Sequence, residues 1–92
     1  MASLVIRFGE EVELAHGVQV APYGDGVILQ AEAQLVYLEP ASARLLGREL
    51  VRAGRRGRDG VGIGLAPGFT VTIIGAPSEL RTIGHSLLEW LS

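Results

Sequence analysis

One twelve-residue pattern occurs twice in this chain of 92 residues, P-x-x-[AL]-R-x-[LI]-G-[RH]-x-L-[VL], from Pro40 and again from Pro77 at an offset of 37 residues. It fixes two helix starts, because proline suits the first helical position, where its missing N–H is not needed. It also fixes two apolar faces. Ala43, Leu46, Leu50 and Ala53 recur at spacings of three and four, and the second copy runs through Leu80, Ile83, Leu87, Leu88 and Leu91. The pattern places Gly47 and Gly84 at the same register. A glycine inside a helix costs about 1 kcal/mol relative to alanine. Two such costs at matching positions predict a close approach there, of helix to helix or of helix to sheet. Either a strand–helix unit is duplicated with pseudo-twofold symmetry, or two amphipathic helices coincide at their core positions.

Between these anchors the chain reads as strands. Residues 4–8 are apolar and β-prone, and Glu11-Val12-Glu13-Leu14 alternates polar with apolar. His16-Gly17 interrupts the alternation, Val18-Gln19-Val20 resumes it, and Pro22-Tyr23-Gly24-Asp25-Gly26 marks a turn. Residues 27–30 and 35–38 form a hairpin around 31–34 or one long strand, since that turn holds no Gly or Asn. The first helix is expected to end between Gly54 and Gly57, and residues 60–64 and 69–74 to pair across Pro67-Gly68. Together these elements predict one α+β domain spanning residues 1–92. Its expected architecture is a largely antiparallel sheet of five to seven strands with two helices on one face.

The run Val36-Tyr37-Leu38-Glu39-Pro40 leading into Ala43-Arg44-Leu45-Leu46 resembles a strand–Pro–helix signature of small proteins of actinobacteria and their bacteriophages. The run Val71-Thr72-Ile73-Ile74-Gly75 leading into Pro77 and Leu80-Arg81 is similar. The resemblance covers about half the chain and is structural, and Glu39 stands where Ser or Thr is the commoner cap. It implies a phage accessory protein acting on a host protein in the host cytoplasm, and transfers no activity or site residue. Eight arginines with no lysine and no asparagine agree with a GC-rich genome.

Composition excludes several classes. With glycine counted and tyrosine left out, about 60% of the chain is apolar, against roughly 45–50% for an ordinary soluble domain. Disorder requires the opposite balance. No apolar window is long enough to cross a membrane, and Met1-Ala2-Ser3 lacks the basic start of a secretory signal, so a cytoplasmic protein without membrane contact is expected. There is no cysteine for disulfide, thiolate or Cys-ligated metal chemistry. His16 and His85 stand apart, Ser42, Ser78 and Ser86 belong to no nucleophile elbow, and no metal spacing exists. The chain is therefore read as a non-enzyme with no cofactor and no metal.

Charge is strongly polarised. Residues 1–43 carry a net −5, residues 44–58 a net +5 and residues 59–92 a net −2. Arg44, Arg48, Arg52 and Arg55 fall in a sector about 80° wide opposite the apolar face of the first helix, and Arg56 and Arg58 extend it. This stripe is a solvated face, a surface for an acidic protein (including Glu10, Glu11 and Glu13 of another subunit), or a site for nucleic acid or a signalling nucleotide. A net charge of −2 and a pI of 5.6 speak against a general nucleic-acid binder. Gly60-Val61-Gly62-Ile63-Gly64 fits no phosphate-loop pattern and reads as a turn or a glycine-rich edge strand. The apolar excess predicts self-association, with Leu87, Leu88, Trp90 and Leu91 as the interface. The leading expectation is a homo-oligomeric, non-enzymatic module that binds itself and another protein. The alternatives are an anionic-ligand binder using the Arg stripe and a structural virion component.

Overall fold

The computed structural model describes residues 2–7, 19–31, 34–65 and 68–91. The elements follow in the order β1 (Ala2–Arg7), β2 (Gln19–Tyr23), β3 (Gly26–Ala31), β4 (Gln34–Leu38), α1 (Pro40–Arg55), β5 (Gly60–Gly64), β6 (Phe69–Ile74) and α2 (Pro77–Trp90). The expected strand at residues 11–14, with Glu10 and His16 beside it, lies outside the described residues, as does Pro67.

Both helices begin at proline, as the repeated pattern predicts. Glu39 caps α1 in an extended conformation without a side-chain hydrogen bond. At α2 the Glu79 carboxylate accepts a hydrogen bond from the Ala76 N–H at 3.3 Å, which satisfies one of the free donors of a helix start. At the other end of α1, Gly57 takes a φ of 74°. There the Arg58 N–H donates to the Ala53 carbonyl at 2.9 Å and the Gly57 N–H to the Gly54 carbonyl at 3.1 Å. This paired arrangement closes the helix and needs a residue free to adopt positive φ. It turns the chain directly into β5.

The α+β class holds, but the single sheet does not. The described strands form two three-stranded sheets, ordered β2-β3-β4 and β1-β6-β5. The first is an antiparallel meander, with Tyr23 opposite Gly26 and Ala31 opposite Gln34, so residues 27–38 are a hairpin and not one strand. In the second, β5 and β6 are antiparallel while β1 lies parallel to β6, Leu4 opposite Val71. Parallel pairing requires a long crossover, and here the crossover carries the whole first sheet and α1. Local patterning has no access to a partner so distant in sequence, hence the expectation of one antiparallel sheet. Each helix directly follows an antiparallel hairpin, β3–β4 before α1 and β5–β6 before α2. The helices do not share one face of one sheet: α1 packs on α2 and touches β3 and β4 of one sheet and β5 of the other.

The two helices meet at the glycines of the repeat. A Cβ added to Gly47 would stand 3.2 Å from the Gly84 carbonyl oxygen, and one added to Gly84 would stand 2.7 Å from the Gly47 carbonyl oxygen. Leu88 lies over Gly47 while Val51 lies over Gly84, and Val51 and Leu88 are themselves related by the 37-residue offset. Arg44 reaches the Leu91 carbonyl at 3.4 Å, and its counterpart Arg81 lies against Gly54, the counterpart of Leu91. The contacts thus come in exchanged pairs, as across a two-fold axis. Beneath the crossing, β1 (Leu4, Ile6), β3 (Val27, Leu29), β6 (Val71, Ile73), α1 (Leu46, Leu50) and α2 (Leu80, Leu87) bury side chains in one cluster. Among the described residues no polar side chain is buried.

This crossing makes alanine at the two glycines unequal. Helix propensity alone favours either change by about 1 kcal/mol. At Gly84 the obstructing atoms include the Gly47 carbonyl and the Val51 backbone nitrogen, so overpacking of about 1–3 kcal/mol wins. At Gly47 the nearest atoms belong to the movable Leu88 side chain, 3.0 Å away. Urea denaturation is expected to show Gly84→Ala less stable than wild type and Gly47→Ala close to it. A Gly84→Ala protein more stable than wild type would rule out backbone contact between the helices.

Candidate functional site

The arginine stripe stands where the periodicity puts it. Arg44, Arg48, Arg52 and Arg55 are exposed on α1, opposite its buried Ala43, Leu46, Leu50 and Ala53, and Arg56 and Arg58 continue past the helix end. Two of the six are engaged. Arg44 donates to the C-terminal carbonyl of α2, a position where a cation also meets the negative end of the helix dipole. Arg52 pairs with Glu49 one turn away at 3.6 Å, a surface pair of the kind that contributes little stability. The other four have no carboxylate within ion-pair distance among the described residues. A groove of about 180 Å³ runs between the end of α1 and β5, lined by Glu49, Arg52, Arg56, Arg58 and residues 60–63. The glycine run is the edge strand of its sheet.

The four residues expected at an interface have different fates. Leu87 is fully buried in the core and is not available to a partner. Leu88 is half-buried over Gly47 and Leu91 is half-buried against the core. Trp90, 39% exposed, is the one of the four that presents its side chain. It sits on the last turn of α2, whose apolar residues otherwise turn inward.

A larger apolar surface lies elsewhere, on the outer face of the β2-β3-β4 sheet. Side chains alternate across a strand, so Leu38 points into the core while Leu35 and Tyr37 point out. Leu35 is 63% exposed, Tyr37 48% and Tyr23 61%. The two tyrosine rings meet edge to face at 6.2 Å between centroids, and half-buried Ile28 stands opposite Tyr37 on the neighbouring strand. The Tyr37 hydroxyl donates to Asp25 at 3.0 Å across the sheet. Round the free edge of β4 a second groove of about 400 Å³ continues from Tyr37 to Leu65 and Phe69. The sequence carried a signal for this face. Val27-Ile28-Leu29 and Leu35-Val36-Tyr37-Leu38 are unbroken apolar runs, whereas a sheet with one solvated face alternates.

His85 is exposed on α2, Ser42, Ser78 and Ser86 lie apart, and Thr82 hydrogen-bonds the Ser78 carbonyl. No cluster of three or more His, Cys, Asp or Glu groups stands ready for a metal among the described residues. No helix among them is long and apolar enough to cross a membrane. Comparison with protein families, with characterised proteins and with solved structures finds no match for this chain.

The Tyr37–Asp25 contact has a measurable signature. The hydrogen bond to Asp25, first, and the neighbouring negative charge hold the Tyr37 hydroxyl above the ordinary tyrosine pKa of 10.0. The folded state therefore keeps this proton more tightly than the unfolded chain. The associated stabilisation is complete below pH 10.0 and is lost as pH rises through the folded value. In a 295 nm titration read in a Tyr23→Phe background, Asp25→Asn is expected to move the Tyr37 step to lower pH. A Tyr37 step that Asp25→Asn leaves in place would show the hydrogen bond absent in solution.

Proposed function

We propose that this protein is a non-enzymatic interaction module that self-associates through the outer face of its β2-β3-β4 sheet and presents the product to another protein. The observation that carries this reading is the exposed Tyr23, Leu35 and Tyr37 surface on a chain already rich in apolar residues. Exposed apolar clusters rimmed by polar groups mark interaction sites on small proteins. Tyrosine is among the residues most concentrated at binding hot spots. The face continues into the groove beside β4, which gives it depth as well as area. Trp90 on α2 supplies a smaller, separate contact.

In this reading the chain is two copies of a strand–strand–helix unit, joined through the glycine crossing and each with its own sheet. The phage accessory role implied by the strand–Pro–helix resemblance fits a small binder whose partner is a host protein in the cytoplasm. The anionic-ligand alternative draws on the four arginines of α1 and its extension that have no carboxylate within ion-pair distance among the described residues.

Light-scattering mass at low and high salt, with and without a mixed oligonucleotide, separates these readings. A dimer or larger particle that ignores salt and oligonucleotide is expected. Leu35→Glu is expected to convert it to monomer, since it sets a charge in an apolar contact, while Trp90→Ala leaves the mass unchanged. A wild-type monomer that gains mass only with oligonucleotide at low salt would sink the proposal and favour the arginine stripe, because phosphate binding weakens steeply with salt.

A further inference from the structure

The β5–β6 ladder fixes the direction of every backbone group in β5. The Leu65 N–H donates to the Phe69 carbonyl at 2.8 Å and the Gly75 N–H to the Asp59 carbonyl at 3.1 Å. Between them the register sets Ile63 opposite Val71 and Val61 opposite Ile73. In an antiparallel pair, alternate residues turn their N–H and C=O groups toward the partner strand. Asp59, Val61, Ile63 and Leu65 therefore face β6, and Gly60, Gly62 and Gly64 face away from it. Among the described strands β5 is the edge of its sheet, so these glycines offer three donors and three acceptors in alternation along an edge that no described strand covers. They carry no side chains to shield it. Open edges are ordinarily blocked by bulges, prolines or cover; here the flanking features are the groove and its arginines.

We propose that the free edge of β5 docks an extended acidic segment of a partner protein, which adds as a fourth strand while Arg52, Arg56 and Arg58 bind its carboxylates. Strand addition draws affinity from main-chain hydrogen bonds and specificity from flanking side chains. The partner's chemistry follows from two observations. The alternating donors and acceptors match a peptide backbone; a phosphate chain would meet three carbonyl oxygens on the same line and gain nothing from them. The rim belongs to a segment, residues 44–58, that carries a net +5 with Glu49 as its one acid. A second copy pairing β5 to β5 would bring two such clusters together, so like-charge repulsion opposes self-pairing at this edge. No aromatic platform for stacked bases lines the groove. The surface is separate from the β2-β3-β4 face and does not depend on self-association there.

The probe is an eight-residue peptide alternating Glu and Thr, with a fluorescent label, titrated by anisotropy against the full chain. Three comparisons are made. The Arg56→Glu/Arg58→Glu protein, altered only at exposed side chains, is expected to lose at least about tenfold in affinity, as for truncated interface charge pairs. Gly62→Pro removes an N–H that points off the sheet, not one that bonds β6, and proline is tolerated at such edge positions. It is expected to lose a similar factor while Gly62→Ala, whose Cβ would lie 3.5 Å from the Thr72 hydroxyl, stays near wild type. Amide exchange at Val61 and Ile63 checks that the β5–β6 ladder survives in Gly62→Pro. A peptide N-methylated at alternate residues keeps its charge but loses half its backbone donors, and is expected to bind at least about tenfold more weakly. Equal binding of the N-methylated peptide, or unchanged binding by Arg56→Glu/Arg58→Glu, overturns the proposal. So does tighter binding of a mixed oligonucleotide that Gly62→Pro leaves intact.

Discussion

Two backbones in van der Waals contact hold this molecule together. Where Gly47 of α1 meets Gly84 of α2, no side chain separates the helices, and that contact sets the distance at which everything else is arranged. Each helix follows its own hairpin, so fixing the helices relative to each other also fixes the two sheets. The result is one apolar cluster fed by both sheets, although their described strands share no ladder. A bulkier residue at the crossing would push the helices apart and widen the space that Leu46, Leu50, Leu80 and Leu87 now fill. Close packing in protein interiors leaves little slack for such a shift. The glycines thus lose helix propensity and gain the geometry on which the core depends.

The surface divides the same way as the charge. α1 turns five apolar side chains inward and four arginines outward, and the Gly57 turn carries two more arginines toward β5. The opposite character appears on the β2-β3-β4 sheet, whose outer face shows two tyrosines and a leucine. A cationic groove and an aromatic face are suited to different partners under different conditions. Salt screens the first over a distance of about 8–10 Å near physiological ionic strength, and leaves the second largely untouched. One small chain thereby carries two surfaces of opposite character that answer differently to salt.

The sequence made the helices legible and the sheets much less so. Pro40 and Pro77, the three–four spacing and the paired glycines are local or repeated signals, and the structure places each where those signals require. The close approach of Gly47 and Gly84 was readable because a mid-helix glycine is costly and therefore needs a reason. The hairpins at Gly24-Asp25 and before Phe69 were likewise marked by turn residues. The parallel β1–β6 pair was not, since nothing in Leu4-Val5-Ile6 names Val71-Thr72-Ile73 as its partner. The four residues expected at an interface part company for a related reason. Leu87 and Trp90 sit in one apolar run, but a helix sends them to different sides, one to the core and one to solvent. The unbroken runs at residues 27–29 and 35–38 held the better clue to an exposed face, masked by their equal fitness for a buried strand.

The parallel pairing of β1 with β6 also orders events in time. β1 ends at Arg7, and its partner residue in β6 is Ile74. At synthesis rates of about 5–20 residues per second, the first strand waits roughly 3–13 s before the strand it pairs with exists. During that interval Leu4 and Ile6, both destined for the core, lack the β6 residues they pair with. The meander and α1 complete themselves earlier, from contacts close in sequence. The last third of the chain is therefore what turns a locally folded half into a closed protein. A polypeptide interrupted before Phe69 would leave its own N-terminal strand as an open template for aggregation.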